Sequence, residues 1–322
     1  MMNNKLWLCL VFLVLLTACA GNTARTSKYP LMVGAARGKL FFAQWVIYAV
    51  DEHGTLLNLD LPKGEELSSD AEWSPDGQWI ANSHLNPNPK SASDYDIYIM
   101  AANDNRKTVR LTYNLIFPLA SAWSPDSTQL AIVAYAPDVE SHYGIYLLNV
   151  ACVLQGENCT PKPTFLIPGR SPDWSPDGKK IVYRDSPSDE IRVVNVQNPD
   201  QIADISQGLT DCGSPQWSPD GKQIAFACED AIYLVDPDGG NRVSLMSGNI
   251  SDLKWTPDGK KIAFIGTKTL DPNLGQTLDL EGTVLSTAVF MMDANGANLT
   301  RITQSNEESI GWFTWIPTNK VK

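Results

Sequence analysis

The sequence predicts an all-β fold built from repeats, and three observations support this prediction. A tryptophan followed by Ser/Thr-Pro-Asp-Gly/Ser recurs along the chain, at Trp73, Trp123, Trp174, Trp217 and Trp255, and a degenerate copy occurs at Trp315. Successive copies lie 38 to 60 residues apart, which brackets the about 40 to 50 residues of a four-stranded propeller blade. Apolar runs separated by Asp, Asn and Gly fill the intervals between the copies.

Each copy predicts a β-hairpin. Proline presets φ for a tight turn, aspartate caps the neighbouring backbone, and glycine accepts the left-handed conformation. Apolar runs flank this turn on both sides, which is typical of paired strands. We interpret the tryptophans as core residues and the aspartates as turn residues, because the same types recur in every copy. Serine replaces glycine at position 127, which makes that turn slightly costlier.

Two further strands follow each hairpin. The third strand is rich in β-branched and aromatic residues, which suit strands, and it is predicted at residues 97–100, 145–148, 191–194, 232–235 and 289–292. A polar turn and a short fourth strand come next, for example at residues 109–112 and 299–303. Four strands per repeat make one blade.

The two ends of the chain predict a closed ring of six blades. Residues 39–43, 45–50 and 55–59 match strands two, three and four of a blade that lacks its first strand. Residues 311–316 form an unpaired first strand at the other end. Pairing these segments leaves few strand edges exposed. The predicted propeller covers residues 39–317, and residues 318–322 form a tail.

The repeat resembles that of the TolB-type propellers, also described as the WD40-like or PD40 repeat. The resemblance rests on the Trp-Ser-Pro-Asp-Gly-x-x-Ile-Ala-Phe pattern at Trp217 and on its copies, and it extends over most of the chain. It implies a β-propeller fold for this part of the chain.

The first residues resemble a bacterial lipoprotein signal. One lysine precedes an apolar run from Leu6 to Leu16, which is too short for a comfortable membrane span. The run ends in Leu16-Thr17-Ala18-Cys19, which resembles a lipobox, and an ordinary signal peptide with an incidental cysteine is the alternative. The resemblance implies cleavage after residue 18, lipidation of Cys19 and a place in the cell envelope, at the outer membrane in a Gram-negative host. Residues 20–38 are small and polar and are interpreted as a flexible tether that follows Cys19.

The charge of the chain bears on its partners. The net charge is −11 at pH 7, and such a surface repels nucleic acid and anionic lipid headgroups. A cationic protein or peptide, or a divalent ion, is the more natural partner.

Four cysteines remain after Cys9 and Cys19 are set aside, and they indicate an oxidising compartment. Cys152 and Cys159 lie in one loop, where a local bridge is expected. Cys212 and Cys228 are equidistant from Asp220 in the hairpin turn, so that they face each other if Trp217 lies opposite Gln223. A zinc site is the alternative, but no Cys-x-x-Cys motif or nearby histidine accompanies these cysteines.

Apart from the loop that contains Cys152 and Cys159, the longer predicted connections fall on one end of the propeller, which we call the long-loop face. They span residues 83–94, 135–143 and 266–287, and long loops often carry binding residues. The candidate binding residues on this face are His84, Asp94, Asp138, His142, Asp185, Asp230, Asp271 and Asp279. Ordinary solvated loop charge is the alternative interpretation. Residues 271–281 only weakly match a calcium loop, because they lack glycine at position six and glutamate at position twelve.

The sequence therefore favours a membrane-anchored binding or scaffold propeller over an enzyme. It contains no Gly-x-Ser-x-Gly elbow, phosphate-binding glycine loop or His-Glu-x-x-His motif. We expect no catalytic residues, no resident metal and no cofactor. The alternative is a hydrolase or lyase that uses His84, His142 and an acidic residue at the mouth of the channel.

Overall fold

A computed structural model describes residues 31–37, 44–51, 53, 55–57, 71–85, 95–102, 104–113, 115–135, 143–157, 159–267, 287–303 and 308–316. Within these ranges the strands form six four-stranded antiparallel sheets. The fold is an all-β propeller, as predicted. The predicted signal segment 1–18, Cys19 and the tail 318–322 lie outside the described ranges.

Five of the six sheets are formed by consecutive strands. The first contains β4 (Glu72–Trp73), β5 (Trp79–Leu85), β6 (Tyr95–Ala101) and β7 (Asp104–Arg110). The second contains β8 (Ile116–Trp123), β9 (Gln129–Tyr135), β10 (Tyr143–Asn149) and β11 (Thr164–Ile167), with the short helix α1 (Ala151–Leu154) between its last two strands. The third contains β12 (Gly169–Trp174), β13 (Lys180–Asp185), β14 (Ile191–Asn195) and β15 (Asn198–Asp204). The fourth contains β16 (Cys212–Trp217), β17 (Ile224–Cys228), β18 (Ala231–Val235) and β19 (Val243–Ser247). The fifth contains β20 (Ile250–Trp255), β21 (Lys261–Thr267), β22 (Thr287–Asp293) and β23 (Thr300–Arg301).

The remaining sheet joins the two ends of the chain. Its order is β24 (Glu308–Trp315), β1 (Leu31–Arg37), β2 (Gln44–Val50) and β3 (Leu56–Leu57). The strand that pairs with β24 is therefore β1, and the predicted strand at residues 39–43 lies outside the described ranges. The predicted tether, which ends at residue 38, was wrong about residues 31–37. Gly34, Ala35 and Ala36 made this segment resemble a linker, although small residues also fit a strand that is paired on both sides.

The repeated turn has the same hydrogen bonds in every complete copy. In the first copy Ser74 Oγ donates to Asp76 Oδ1 over 2.5 Å, and the same Oδ1 accepts the N–H of Gln78 over 3.0 Å. Equivalent bonds occur at Asp126, Asp177, Asp220 and Asp258. The prediction that these aspartates are turn residues is confirmed.

Ser127 shows why one turn tolerates the loss of glycine. Its φ is 60°, in the left-handed region that favours glycine. Its Oγ accepts the N–H of Asp76 from the turn of the preceding sheet over 3.2 Å. The side chain thus supplies a bond between neighbouring sheets that glycine cannot make, which offsets part of the backbone cost.

The core lies between neighbouring sheets. The tryptophan that ends each first strand is 5% to 8% exposed in the five complete copies. Each hydrophobic cluster joins two neighbouring sheets. Ile132 and Tyr146 pack with residues of the sheet before theirs, and Tyr183 and Phe226 each belong to a corresponding cluster further along the chain. The tryptophans are therefore core residues, as predicted.

A bulge in the first strands shifts their register. Trp217 lies opposite Ile224 rather than opposite Gln223 as expected, and an extra residue between Gly213 and Gln216 brings Cys212 opposite Cys228. The residue three positions before the tryptophan has a left-handed φ in three first strands, at Ser171, Ser214 and Asp252. Such bulges bend a strand and turn its side chains.

Both predicted disulfides are present. Cys152 is bonded to Cys159, and Cys212 is bonded to Cys228. Disulfides of this kind fit an oxidising, extracytoplasmic compartment. In the part of the chain that the structure describes, no helix is long and apolar enough to cross a membrane.

Candidate functional site: the axial cavity and the long-loop face

A cavity of about 290 Å³ is lined by residues from the first strands of the six sheets. The residue immediately before the repeated tryptophan lines it in each sheet, as do the tryptophans themselves. These six residues are Glu72, Ala122, Asp173, Gln216, Lys254 and Thr314. The turn prolines Pro75, Pro176 and Pro219 also line the cavity, so it reaches the end of the propeller at which the repeated turns lie.

Glu72 connects three of the six sheets at this cavity. Its carboxylate forms an ion pair with the ammonium of Lys254 on β20. Thr314 Oγ1 on β24 donates to Glu72 Oε2 over 2.7 Å. The side chains of Lys254 and Glu72 are only 15% and 23% exposed, so solvent screens this pair weakly. We call Glu72, Lys254 and Thr314 the polar clasp.

Two more carboxyl groups lie close to the clasp. Burial raises the pKa of Asp173 to about 7, although the N–H of Trp217 and the charge of Lys254 act to lower it. Burial likewise raises the pKa of Asp252 to about 6 against the charge of Lys254. For Lys254, burial acts to lower the pKa, but Glu72 and Asp252 outweigh it and the pKa is raised. At neutral pH the lysine is therefore charged and Asp173 is near its midpoint.

Replacing Asp173 with asparagine is expected to stabilise the protein at high pH. The folded-state pKa of Asp173 lies above its unfolded value. The free energy of unfolding therefore falls as pH rises from about 4 to about 7, because ionising Asp173 is harder in the folded protein than in the unfolded chain. Asparagine can still accept the N–H of Trp217, whose 2.7 Å bond ends on Asp173 Oδ2. We expect a gain of about 2 kcal/mol in the free energy of unfolding at pH 8 and almost none at pH 4. Urea unfolding at the two pH values measures it.

Asp177→Asn is the matched control on the turn of the same sheet. The hydroxyl of Ser175 and the N–H of Lys179 lower the pKa of Asp177. This substitution is therefore expected to destabilise the protein at neutral pH, with an effect that fades as pH falls through the lowered folded-state pKa. Equal pH profiles for the two variants would contradict the burial of Asp173.

Three of the eight candidate residues on the long-loop face belong to the described part of the chain. They are His84 on β5, Asp185 on β13 and Asp230 between β17 and β18, and they lie on three different sheets. Asp94, Asp138, His142, Asp271 and Asp279 lie outside the described ranges. None of the three described candidates lines the axial cavity.

The contacts of these three residues are those of the surrounding framework. Asp185 is 7% exposed, accepts a hydrogen bond from Ser188 Oγ over 2.6 Å and pairs with Arg192 over 3.2 Å. Asp230 is exposed, has a φ of 59° in the turn between β17 and β18, and its carbonyl accepts the N–H of Gly248. The ring of His84 packs edge-on against Tyr98, with centroids 6.0 Å apart. Among the described residues, no three His, Cys, Asp or Glu side chains are grouped as ligands for a metal ion.

The long-loop face carries exposed apolar and aromatic side chains that the sequence did not reveal. They lie on or beside β6, β8 and β10, towards the end from which the long connections leave, and they are 36% to 50% exposed. We call this set the apolar patch, and its residues are Tyr95, Tyr113, Ile116, Leu119 and Tyr143. The register β8–β9–β10 places Ile116, Tyr135 and Tyr143 side by side. The guanidinium of Arg110 lies 4.2 Å from the centroid of the Tyr113 ring.

The comparisons with known proteins concern the fold. No protein-family model matches the chain, and no curated protein matches it. Among solved structures, TolB from Acinetobacter baumannii is similar with a TM-score of 0.64 and 14% identity, over 90% of this chain and 67% of that one. A putative TolB from Agrobacterium tumefaciens has a TM-score of 0.56 and 18% identity, over 90% of this chain and 99% of that one. A chain of a nidogen/laminin complex has a TM-score of 0.61 and 10% identity, over 90% of this chain and 98% of that one. The structural neighbours thus include TolB-type β-propellers, which confirms the predicted resemblance at the level of the fold.

Proposed function

We propose that this chain is a lipid-anchored, extracytoplasmic binding propeller that engages a protein partner through its long-loop face. The observation that carries the proposal is the apolar patch. Exposed apolar clusters on a soluble protein mark interaction sites, and tyrosines are enriched among the residues that dominate binding. Two of the similar structures are TolB-type propellers and the third comes from a complex of two proteins, which supports a protein as the partner.

The proposal includes a closed ring of six blades. Equivalent residues from all six sheets line one cavity, which supports a ring. The C-terminal strand β24 contacts both of its neighbours, since Thr287 Oγ1 on β22 donates to the carbonyl of Ile310 over 2.7 Å and Thr314 bonds Glu72 on β4. Pairing of β24 with β1 then joins the ends of the chain. A closed ring holds the long-loop face rigid, which lowers the entropic cost of binding.

The anchor and the charge complete the proposal. A lipidated Cys19 would hold the propeller at a membrane surface, since several acyl chains anchor a protein stably. The net charge of −11 favours a partner with a basic surface. The described arginines pair with part of the acidic charge on this face, including Asp185 and Asp189, so the apolar patch rather than the acidic residues is expected to supply most of the affinity.

Removing the apolar patch is expected to abolish partner capture. In the variant Ile116→Ser/Tyr143→Ser the two replaced side chains are 38% and 45% exposed, so the fold should persist. We expect at least about a tenfold drop in the partner recovered from the native envelope after crosslinking and affinity purification of the tagged protein.

The matched control is Ile202→Ser/Val243→Ser, which removes exposed apolar side chains from β15 and β19, the outermost strands of two other sheets. It should recover the partner at the level of the unmodified protein. If both variants melt cooperatively and the patch variant recovers as much partner as the control variant does, binding through the apolar patch is refuted.

A further inference from the structure

The axial cavity opens at the opposite end of the propeller from the long-loop face, and the proposed function does not use it. It is lined by residues of the first strands, not by the long connections. Three of the lining residues carry charge, namely Glu72, Asp173 and Lys254. The cavity therefore has a chemical character of its own.

The charges in the cavity do not balance. Glu72 and Lys254 neutralise each other, and Thr314 donates to the second oxygen of Glu72. The carboxylate of Asp173 accepts the N–H of Trp217, and among the described residues it forms no ion pair with a basic side chain. Gln216, Ala122 and Thr314, which face the cavity from the other first strands, are uncharged. With Asp173 ionised, the lining has one uncompensated negative charge.

The remaining wall is apolar. The repeated tryptophans and the three turn prolines line it, and such surfaces favour aliphatic and aromatic ligand atoms. The volume of about 290 Å³ is close to the lower limit for small-molecule pockets and exceeds the space that one metal ion needs. A cationic group on a short apolar stem fits the volume of the cavity and its apolar wall, and it compensates the negative charge of Asp173.

We propose that the axial cavity binds an organic cation, a primary ammonium or guanidinium group on a short aliphatic chain, which pairs with the carboxylate of Asp173. The chain lies between the tryptophans and prolines. The cation can come from a free amine or from a lysine or arginine side chain of a peptide. Because burial raises the pKa of Asp173 to about 7, binding strengthens as pH rises through that value. Glu72 on β4 acts to raise this pKa, and Lys254 on β20 acts to lower it.

Isothermal titration calorimetry of the folded chain with agmatine and with N-acetyl-arginine methylamide tests the proposal. We expect saturable binding of at least one probe, with an affinity that increases between pH 6 and pH 8. Stronger binding of agmatine identifies a free amine as the ligand type, and stronger binding of the blocked arginine identifies a peptide side chain. Pentan-1-ol, which has the aliphatic chain without the charge, is expected not to bind measurably.

Asp173→Asn is expected to weaken the binding of either probe by about tenfold or more, because a hydrogen-bonded ion pair is lost. This variant is expected to be at least as stable as the unmodified chain, so unfolding cannot explain a loss of binding. Asp177→Asn, outside the cavity lining, should bind as the unmodified chain does. Absence of saturable binding by both probes, equal binding by Asp173→Asn, or displacement of the probes by micromolar Ca²⁺ would overturn the proposal.

Discussion

Replacing Glu72 with alanine is expected to lower the free energy of unfolding by about 3 kcal/mol. The substitution leaves the ammonium of Lys254 without its partner in a site where that side chain is only 15% exposed. It also removes the acceptor of the Thr314 hydroxyl on β24. Urea unfolding at pH 7 followed by circular dichroism measures the change.

Glu72→Gln is the matched control for this experiment. Glutamine has nearly the same shape and can still accept a hydrogen bond from Thr314, but it carries no charge. Glu72→Gln should lower the free energy of unfolding less than Glu72→Ala does, since the hydrogen bond from Thr314 persists although the ion pair with Lys254 is lost. A loss below about 1 kcal/mol for Glu72→Ala would show that the polar clasp does not hold the first strands together.

Removing the disulfide between Cys212 and Cys228 should cost about 3 kcal/mol, which is the loop-closure value for the sequence separation of 16. The bond between Cys152 and Cys159 closes only seven residues, so its removal should cost about 2 kcal/mol. We expect this order for Cys212→Ala/Cys228→Ala and Cys152→Ala/Cys159→Ala in thermal melts.

A reductant supplies the second arm of the disulfide test. Dithiothreitol should lower the melting temperature of the unmodified chain and of either double variant. It should not change the melting temperature of a quadruple variant in which Cys152, Cys159, Cys212 and Cys228 are all replaced by alanine. A larger loss from the short loop than from the long one would contradict the loop-closure explanation.

The repeat made most of the fold predictable. Trp73 and its counterparts end the first strands, the Ser-Pro-Asp-Gly turns follow, and the third strands lie where the β-branched residues predicted them. These features recur, so each copy supports the interpretation of the others. The disulfides were predictable because Cys212 and Cys228 lie on the two strands of one hairpin, and because Cys152 and Cys159 lie seven residues apart in one loop.

The repeat also concealed what differs between copies. The position before each tryptophan is Glu72 in one sheet, Lys254 in another and Thr314 in a third, so no shared residue type drew attention to it. A polar or charged residue beside a buried tryptophan was the available signal. The bulges, including that at Asp252, depend on backbone geometry and leave little trace in composition.

The apolar patch could not be predicted because its members come from two sheets. Tyr95, Ile116 and Tyr143 are separated in sequence by about 20 residues or more, and each would pass for an ordinary strand residue. Only the register of the strands places them at one end of the propeller. Acidic loop residues were easier to notice, and for that reason they dominated the predicted binding face.

A photoreactive amino acid at position 143 provides the most direct measurement of the proposed function. The protein would be illuminated in the native cell envelope, with the same amino acid at position 243 on β19 as the control. We predict one dominant protein adduct from position 143 and none from position 243. Adducts of the same identity and yield from both positions, or none from position 143 in a correctly folded protein, would contradict a binding role for the long-loop face.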